Sequence, residues 1–202
     1  MCRTPSALVL LALALPAQGQ SQVININQEP QGSSTYPNDS SPANFAAAHG
    51  RVYFSAVTGT TGREYFWVDG SGDAPELLAD IAPGDLDSDP RDLVPLPNGL
   101  VVFVADDGVT GTEVWVSDGT TAGTTMLVEL TAPGGYTSPT QLTLHQGEVY
   151  FIARDDTGFS PFLWKTDGTT AGTIKLEDLG ITGSYSGATQ MIVSAGANLY
   201  YT

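Results

Sequence analysis

The sequence predicts an all-β fold made of β-propeller-type blades, each a sheet of four antiparallel strands. Three closely similar segments lie 49 residues apart: EYFWVDGS at 64–71, EVWVSDGT at 113–120 and FLWKTDGT at 162–169. A fixed period of about 20 to 50 residues indicates stacked units that bury an apolar face together. The segments are separated by short apolar runs without helical periodicity. This pattern favours propeller blades over a β-solenoid, whose rungs are shorter.

The first 19 residues are typical of a secretory signal peptide. They carry one positive charge, Arg3, then an apolar run at 7–15 and small residues before position 20. The run is shorter than the roughly 20 residues that a membrane-spanning helix needs. We therefore expect an exported protein, secreted or at the cell surface, without membrane insertion.

Residues 20–41 are predicted to form a leading strand and a linker. The segment 23–27 and the following Ser41-Pro42 resemble the end of a later unit, 78–81 followed by Asp89-Pro90. The chain is therefore expected to enter its first unit from the fourth strand of a preceding one.

Each unit is predicted to contain four strands. Most first strands are preceded by a proline, at a position where its missing N–H removes no hydrogen bond between strands. The second run is β-branched and aromatic, as at 101–104, which suits a central buried strand. The third carries an aromatic residue and ends at an Asp-Gly pair, and the fourth is leucine-rich. The units are repeat 1 (42–89), repeat 2 (90–138), repeat 3 (139–187) and a partial repeat 4 (188–202).

These units are too few to close a ring. Propellers close with roughly four to eight blades, whereas about three complete blades and partial ones are predicted here. We expect an incomplete, open propeller that is a fragment of a longer gene product. The alternative is a complete open arc whose exposed strand edges need an edge-to-edge partner.

The third strand and its turn carry a signature, an aromatic residue followed by Asp-Gly-Thr. We expect the ring to fill the space between blades, Asp to accept turn amides, and Gly to supply a positive φ. The alternative is that Asp118 and Asp167 line a shared face as metal or sugar contacts. The signature residues are Phe66, Asp69, Gly70, Trp115, Asp118, Gly119, Thr120, Trp164, Asp167, Gly168 and Thr169.

The segments 113–124 and 163–173 resemble the ELWxxDGT repeat proteins, a secreted family of bacterial origin. The first copy departs from the pattern, with Phe66 in place of tryptophan and Ser71 in place of threonine. The linker 80–90 is also similar to the segment between the family's repeats. The resemblance implies an exported, surface-associated propeller scaffold with a role in adhesion or ligand binding, and it supplies no catalytic residues.

The charge balance makes some classes of partner unfavourable. The chain has 22 acidic and 7 basic residues, a formal net charge of −15, which disfavours nucleic acid and anionic lipid. The only cysteine, Cys2, lies in the predicted signal peptide, so the mature protein would have neither disulfides nor thiolate metal sites. The surplus of carboxylates serves either solubility or the binding of divalent cations.

One acidic segment could bind calcium. Asp85, Asp87 and Asp89 place three carboxylates at alternate positions, but Pro90 and Leu96 stand where an EF-hand loop has its glycine and its bidentate glutamate. The alternatives are a looser calcium site and a solvated acidic loop.

Two further groups are predicted to lie in turns. The acidic segments 106–108 and 155–158 should project from one rim. His49 and His145 are expected to be exposed turn residues, which are too few and too far apart in the sequence to bind zinc.

Hydrolase, phosphate-binding and dinucleotide-binding motifs are absent from the sequence. We therefore predict a non-enzymatic exported scaffold for protein or glycan binding or adhesion at the cell surface, with Ca²⁺ as the only cofactor considered. The alternatives are a fragment of a carbohydrate-active propeller enzyme and a calcium-dependent adhesion module.

Overall fold

The computed structural model describes residues 9–11, 22–24, 40–130, 138–155, 160–180 and 191–201, and all regular structure in these ranges is β-strand. Within them no helix is long and apolar enough to span a bilayer. In chain order the strands are β1 (Val9–Leu11), β2 (Gln22–Ile24), β3 (Ala43–Ala48), β4 (Arg51–Thr58), β5 (Gly62–Val68), β6 (Glu76–Leu77), β7 (Arg91–Pro95), β8 (Val101–Asp106), β9 (Thr112–Ser117), β10 (Thr125–Val128), β11 (Thr140–His145), β12 (Glu148–Ala153), β13 (Phe162–Thr166), β14 (Ile174–Asp178), β15 (Ile192–Ala195) and β16 (Asn198–Tyr201).

Most of the strands form three antiparallel sheets in which sequence neighbours are also spatial neighbours. The first sheet is β3 to β6, the second β7 to β10 and the third β11 to β14. Strands β15 and β16 form a two-stranded sheet, and β1 pairs with β2, with Val9 opposite Ile24. The predicted all-β class is confirmed, and each of the three larger sheets has four antiparallel strands.

Tight turns explain why consecutive strands pair. His49-Gly50 joins β3 to β4 and Gln146-Gly147 joins β11 to β12, and all four residues have positive φ. Two central residues with positive φ define a type I′ turn, whose twist matches that of a hairpin. Glycine at the second position makes this conformation accessible without a steric penalty.

The second strand of each sheet forms its core. In β8 the first five residues, 101–105, are fully buried, as the β-branched and aromatic sequence predicts for a central strand. Its Phe103 lies opposite Trp115 of β9, and Phe151 lies opposite Trp164 in the same way. Phe54 and Phe66 occupy the corresponding positions of the first sheet.

Apolar side chains fill the space between successive sheets. One cluster joins the first and second sheets, from Tyr65 to Phe103, and Trp115 packs half-buried against it. A second joins the second and third sheets and contains Trp164, which is 8% exposed. Phe66 is equally well buried, but in a cluster formed by residues of its own sheet. The prediction that the signature ring fills the space between two sheets is therefore wrong for Phe66.

The first strands of successive sheets lie side by side: β3 contacts β7, β7 contacts β11, and β11 contacts β15. Among the described residues the fourth strands β6, β10 and β14 make no contact of comparable extent with each other. The sheets therefore approach each other most closely along their first strands.

Candidate functional site

The Asp-Gly-Thr turns of the second and third sheets are closed by their own side chains. Asp118 Oδ1 accepts hydrogen bonds from the Thr120 amide at 2.9 Å and from its hydroxyl at 2.7 Å. The Thr120 hydroxyl in turn accepts the Gly123 amide at 3.0 Å. These bonds to the ionised carboxylate lower the pKa of Asp118, chiefly through the Thr120 side chain.

The turn after Asp167 repeats this arrangement. Thr169 donates from its amide at 2.9 Å and from its hydroxyl at 2.7 Å to Asp167 Oδ1, and the Gly172 amide donates to the Thr169 hydroxyl at 2.9 Å. In the first sheet Asp69 accepts the Ser71 amide at 2.8 Å, and the Ser71 hydroxyl lies 2.8 Å from Asp73 Oδ2. Both threonine turns therefore use the carboxylate as an internal cap, which accounts for the signature without a metal or a sugar.

Two of the three signature glycines, Gly119 and Gly168, lie where the turn meets the preceding sheet. The prediction of a positive φ is wrong for Gly70, because in the first sheet Gly72 takes that conformation. Gly119 and Gly168 both have a φ of 91°, and a side chain on Gly119 would collide with Arg51. A side chain on Gly168 would meet Leu96 and Leu100 at 2.8 and 2.9 Å. Glycine thus permits both the left-handed backbone and the close approach.

Polar contacts join the turns to the preceding sheet. Arg51 Nη1 donates to the Gly119 carbonyl at 3.3 Å, and Arg51 Cζ lies 3.8 Å from the Trp67 ring centroid. The Thr121 hydroxyl donates to the Leu78 carbonyl at 3.1 Å, and Asn98 Nδ2 donates to the Asp167 carbonyl at 3.3 Å. The turns are therefore contacts between sheets.

Sequence analysis missed the role of the glutamate that begins the first two signature segments. Glu64 has no exposed surface, and it accepts the Ala82 amide at 3.0 Å and the Ser88 hydroxyl at 2.5 Å. The Ser88 hydroxyl is also 3.1 Å from the Arg63 carbonyl, which can only accept. A protonated Glu64 would donate to Ser88 and leave that hydroxyl free to donate to Arg63.

Burial accordingly raises the pKa of Glu64 to about 7. Glu113, at the same position of the second sheet, is also fully buried and accepts the Leu130 amide at 3.1 Å. In the third sheet Phe162 takes this place. These carboxyls hold the linker that follows their own sheet, and only their recurrence in the sequence could have indicated that role.

The three aspartates of the proposed calcium loop do not converge. Among the described residues no group of three or more His, Cys, Asp and Glu side chains is placed to hold a metal ion. Asp87 Oδ1 accepts the Arg63 amide at 2.7 Å, and Asp89 lies 4.0 Å from Arg63 Nε. The contacts of Asp87 and Asp89 are thus to β5, and a calcium site at Asp85, Asp87 and Asp89 stays a prediction.

One of the two histidines is not where the sequence predicts it. His49 is exposed, with Nε2 3.1 Å from the Leu100 carbonyl. His145 is only 7% exposed, and its Nδ1 lies 2.9 Å from Ser194 Oγ. The prediction of an exposed His145 is wrong because β15 covers this turn.

The acidic rim turns are also held internally. Asp107 Oδ1 accepts the amides of Val109 and Thr110 at 2.8 and 2.7 Å, and Asp155 pairs with Lys175 Nζ at 2.6 Å. Residues 156–158 of the second turn lie outside the described ranges.

A cleft of about 440 Å³ lies between β7 and β11, where the first strands of the second and third sheets face each other. Its lining combines carboxylate, hydroxyl and amide groups with aliphatic side chains. The lining residues are Asp92, Leu93, Val94, Thr140, Gln141, Leu142 and Thr143. This cleft could not be predicted from the sequence, because its lining comes from two units 49 residues apart and neither unit contributes a recognisable motif.

The backbone of this cleft is strained at two polar residues. Asp92 and Gln141 have φ values of 56° and 62°, in the left-handed region that non-glycine residues rarely adopt. Each lies at a register irregularity of its strand, as Asn44 does in β3, with a φ of 51°. Such strain costs on the order of 1–3 kcal/mol per residue and is often found at functional sites.

Comparison with known proteins adds no assignment to this geometry. No protein-family model matches the sequence, and no curated protein is significantly similar to it.

Proposed function

We propose that this chain is a non-enzymatic exported repeat protein whose sheets are the blades of a propeller-type scaffold, and that it binds a protein or glycan partner at the cell surface. The observation that carries the proposal is the repeated docking of one sheet on the next. Trp115 Nε1 donates to the Ala105 carbonyl at 3.2 Å, and Trp164 Nε1 donates to the Ala153 carbonyl at 3.3 Å. Each bond lies within one sheet and fixes the ring there. Trp115 packs against the cluster between the first and second sheets, and Trp164 lies in the cluster between the second and third.

A repeated head-to-tail interface generates either a ring or a helical stack. The first strands contact each other in sequence from β3 to β15, whereas the fourth strands do not do so to a comparable extent within the described ranges. Sheets that converge on one side and diverge on the other fan out around a common axis. This favours a propeller-type arrangement over a parallel stack of rungs.

The described carboxyl groups support binding rather than catalysis. A general acid must reach its substrate, but Glu64, the carboxyl with a pKa raised to about 7, has no exposed surface. The exposed signature carboxylates, Asp118 and Asp167, have a lowered pKa because their turns hydrogen-bond the ionised form. They are poor proton donors at neutral pH.

Export is tested by expressing the chain with its own N-terminus in a bacterium. We expect a processed protein outside the cytoplasm that begins at Gln20, after the small residues of the predicted cleavage site. N-terminal sequencing measures this. A cytoplasmic product that begins at Met1 would contradict export.

Binding and catalysis are separated by incubating the purified protein with a panel of oligosaccharides and cell-surface proteins. We expect retention of a partner on the immobilised protein without the release of new reducing ends. Turnover of any oligosaccharide would refute the non-enzymatic assignment.

A further inference from the structure

The three sheets carry different polar residues at one strained position, and the first sheet indicates what that position does structurally. Asn44 is in the left-handed conformation that asparagine tolerates well. Its Nδ2 donates to the Pro90 carbonyl at 2.9 Å and lies 3.3 Å from Ser55 Oγ. The amide therefore joins β3 to the entrance of β7.

Asp92 occupies the equivalent position of β7 but cannot make this bond. An ionised carboxylate is an acceptor only, so it cannot donate to the carbonyl of Pro139, the residue equivalent to Pro90. The hydroxyl partner is also missing, because Val104 stands where the first sheet has Ser55.

Within the described part of the chain, no hydrogen bond or salt bridge replaces these contacts, although the charge of Asp92, after burial, helps to raise the pKa of the Tyr65 hydroxyl. Among the described residues the Asp92 carboxylate receives no hydrogen bond and forms no salt bridge, even with its neighbour Arg91. Asp92 is exposed and lines the cleft between β7 and β11. A residue that departs from the local rule of its own repeat without a structural gain is a candidate for function.

The other lining residues define the chemistry that fits beside the carboxylate. Val94 and Leu142, both half-buried, supply aliphatic surface, and Thr140 and Gln141 supply uncharged polar groups. The Leu93 side chain is buried in the cluster between the first and second sheets. The lining contains no aromatic ring against which a sugar could stack. An alkyl chain that ends in a positive charge matches this surface, because its methylenes can pack on Val94 and Leu142 while its head reaches the carboxylate.

The charge of the whole protein acts in the same direction. A formal net charge of −15 raises the local concentration of cations and repels anions.

We propose that the cleft between β7 and β11 binds a lysine or arginine side chain of a protein partner, with Asp92 as its counter-ion. The inference rests on the proposed function as a binding scaffold, and it names the site and the chemistry of the partner.

The test uses the purified protein and acetylated trilysine amide as the probe. We expect amide shift changes at residues 92–94 and 140–143 in a titration followed by NMR, with affinity in the millimolar range and weakening as salt is added. Maltotriose, a neutral glycan, should leave the same amides unchanged.

D92N is the decisive variant, because asparagine suits the left-handed backbone and can donate to Pro139 as Asn44 does to Pro90. We expect it to keep or raise the thermal midpoint while weakening trilysine binding roughly tenfold. The matched control is D85N, which removes the same charge from an exposed residue outside the cleft. It should leave the affinity unchanged.

Three results would overturn the assignment. D92N and D85N could weaken binding equally, which would indicate diffuse attraction by net charge. Maltotriose alone could shift the cleft amides, which would make the site a glycan site. Trilysine could leave the cleft amides unchanged at about 10 mM, well above the expected range. If the protein still retains a partner in that last case, the cleft assignment fails and the scaffold proposal stands.

Discussion

Glu64 makes the stability of the first sheet dependent on pH. Its carboxyl has a pKa of about 7 in the folded protein, against an ordinary value of 4.5, because burial penalises the charge. Between these values the folded state holds a proton that the unfolded state releases. The contribution of Glu64 to stability is therefore fully present below about pH 4.5, is lost as the pH rises to about 7, and does not change above that.

Substituting Glu64→Gln should remove this dependence. The amide can accept from Ala82 and donate to Ser88, so the linker stays attached without an ionisable group. We expect the free energy of unfolding of the wild type to fall by up to about 3 kcal/mol from pH 4.5 to 7, and the variant to lose most of that slope. Urea unfolding at several pH values measures both, with the exposed Glu76→Gln as control.

A slope that survives in Glu64→Gln but disappears in Glu76→Gln would contradict the role of the buried carboxyl.

Sequence reasoning at the scale of single residues succeeded where the cause was local. The caps made by Asp118 and Asp167 follow from turn chemistry within three residues. Glu64 was missed because a glutamate is ordinarily expected at the surface, and its partner Ser88 lies 24 residues away. Asp92 was missed for the same reason, since its significance depends on a comparison with Asn44 in another sheet.

At the scale of the elements, the turn that begins at Asp118 docks on the preceding sheet through its glycine. Gly119 has a φ of 91°, and a Cβ added there would meet Arg51 and Tyr53 of β4, whereas Gly84 has the same φ with no atom within 4 Å of an added Cβ. The two glycines thus share a backbone conformation but differ in their surroundings.

This pair separates backbone strain from close approach. Gly84→Ala should cost only the left-handed penalty, about 1–2 kcal/mol. Gly119→Ala should cost roughly 1–3 kcal/mol more, because Arg51 must leave its place beside the Gly119 carbonyl and the Trp67 ring. Thermal or urea unfolding of the two variants measures the difference. Equal losses of unfolding free energy in the two variants would show that close contact between this turn and the preceding sheet does not contribute to stability.

The strands were largely predictable, because Gly and Asp-Gly turns punctuate apolar runs of strand length. The second strands are the clearest case, since a run such as 101–105 is apolar on both faces and therefore predicts a strand buried between two other layers. The pairing of β1 with β2 was not predicted. Pairing between separated segments depends on register and contacts that a one-dimensional pattern does not encode.

At the scale of the whole molecule, a propeller-type fan, in which the sheets are arranged around a common axis, and a parallel stack of rungs predict different distances between the first and third sheets. In a fan the distance between first strands is shorter than that between fourth strands, whereas in a stack of rungs the two are equal. The repeat period in the sequence is compatible with both. Only the contacts between β3, β7 and β11 favour the fan.

Spin labels on paired cysteines should measure this difference, with Cys2 replaced by serine. One pair is Ala47 and Leu144, on the first strands β3 and β11, and the other is Glu76 and Ile174, on the fourth strands β6 and β14. All four residues are exposed, so the labels should not disturb the core. We expect the 47–144 distance to be clearly shorter than the 76–174 distance. Equal distances would favour a solenoid.

The contacts of Thr121 with Leu78 and of Arg51 with Gly119 have an evolutionary consequence, because they join only adjacent units. A 49-residue unit duplicated by unequal recombination would carry the same inter-sheet surfaces as the existing units, so it could pack between them. Lengthening such a gene requires no coordinated change elsewhere, and later substitutions, such as a charged residue where an ancestral copy had an amide, can specialise one copy at a time.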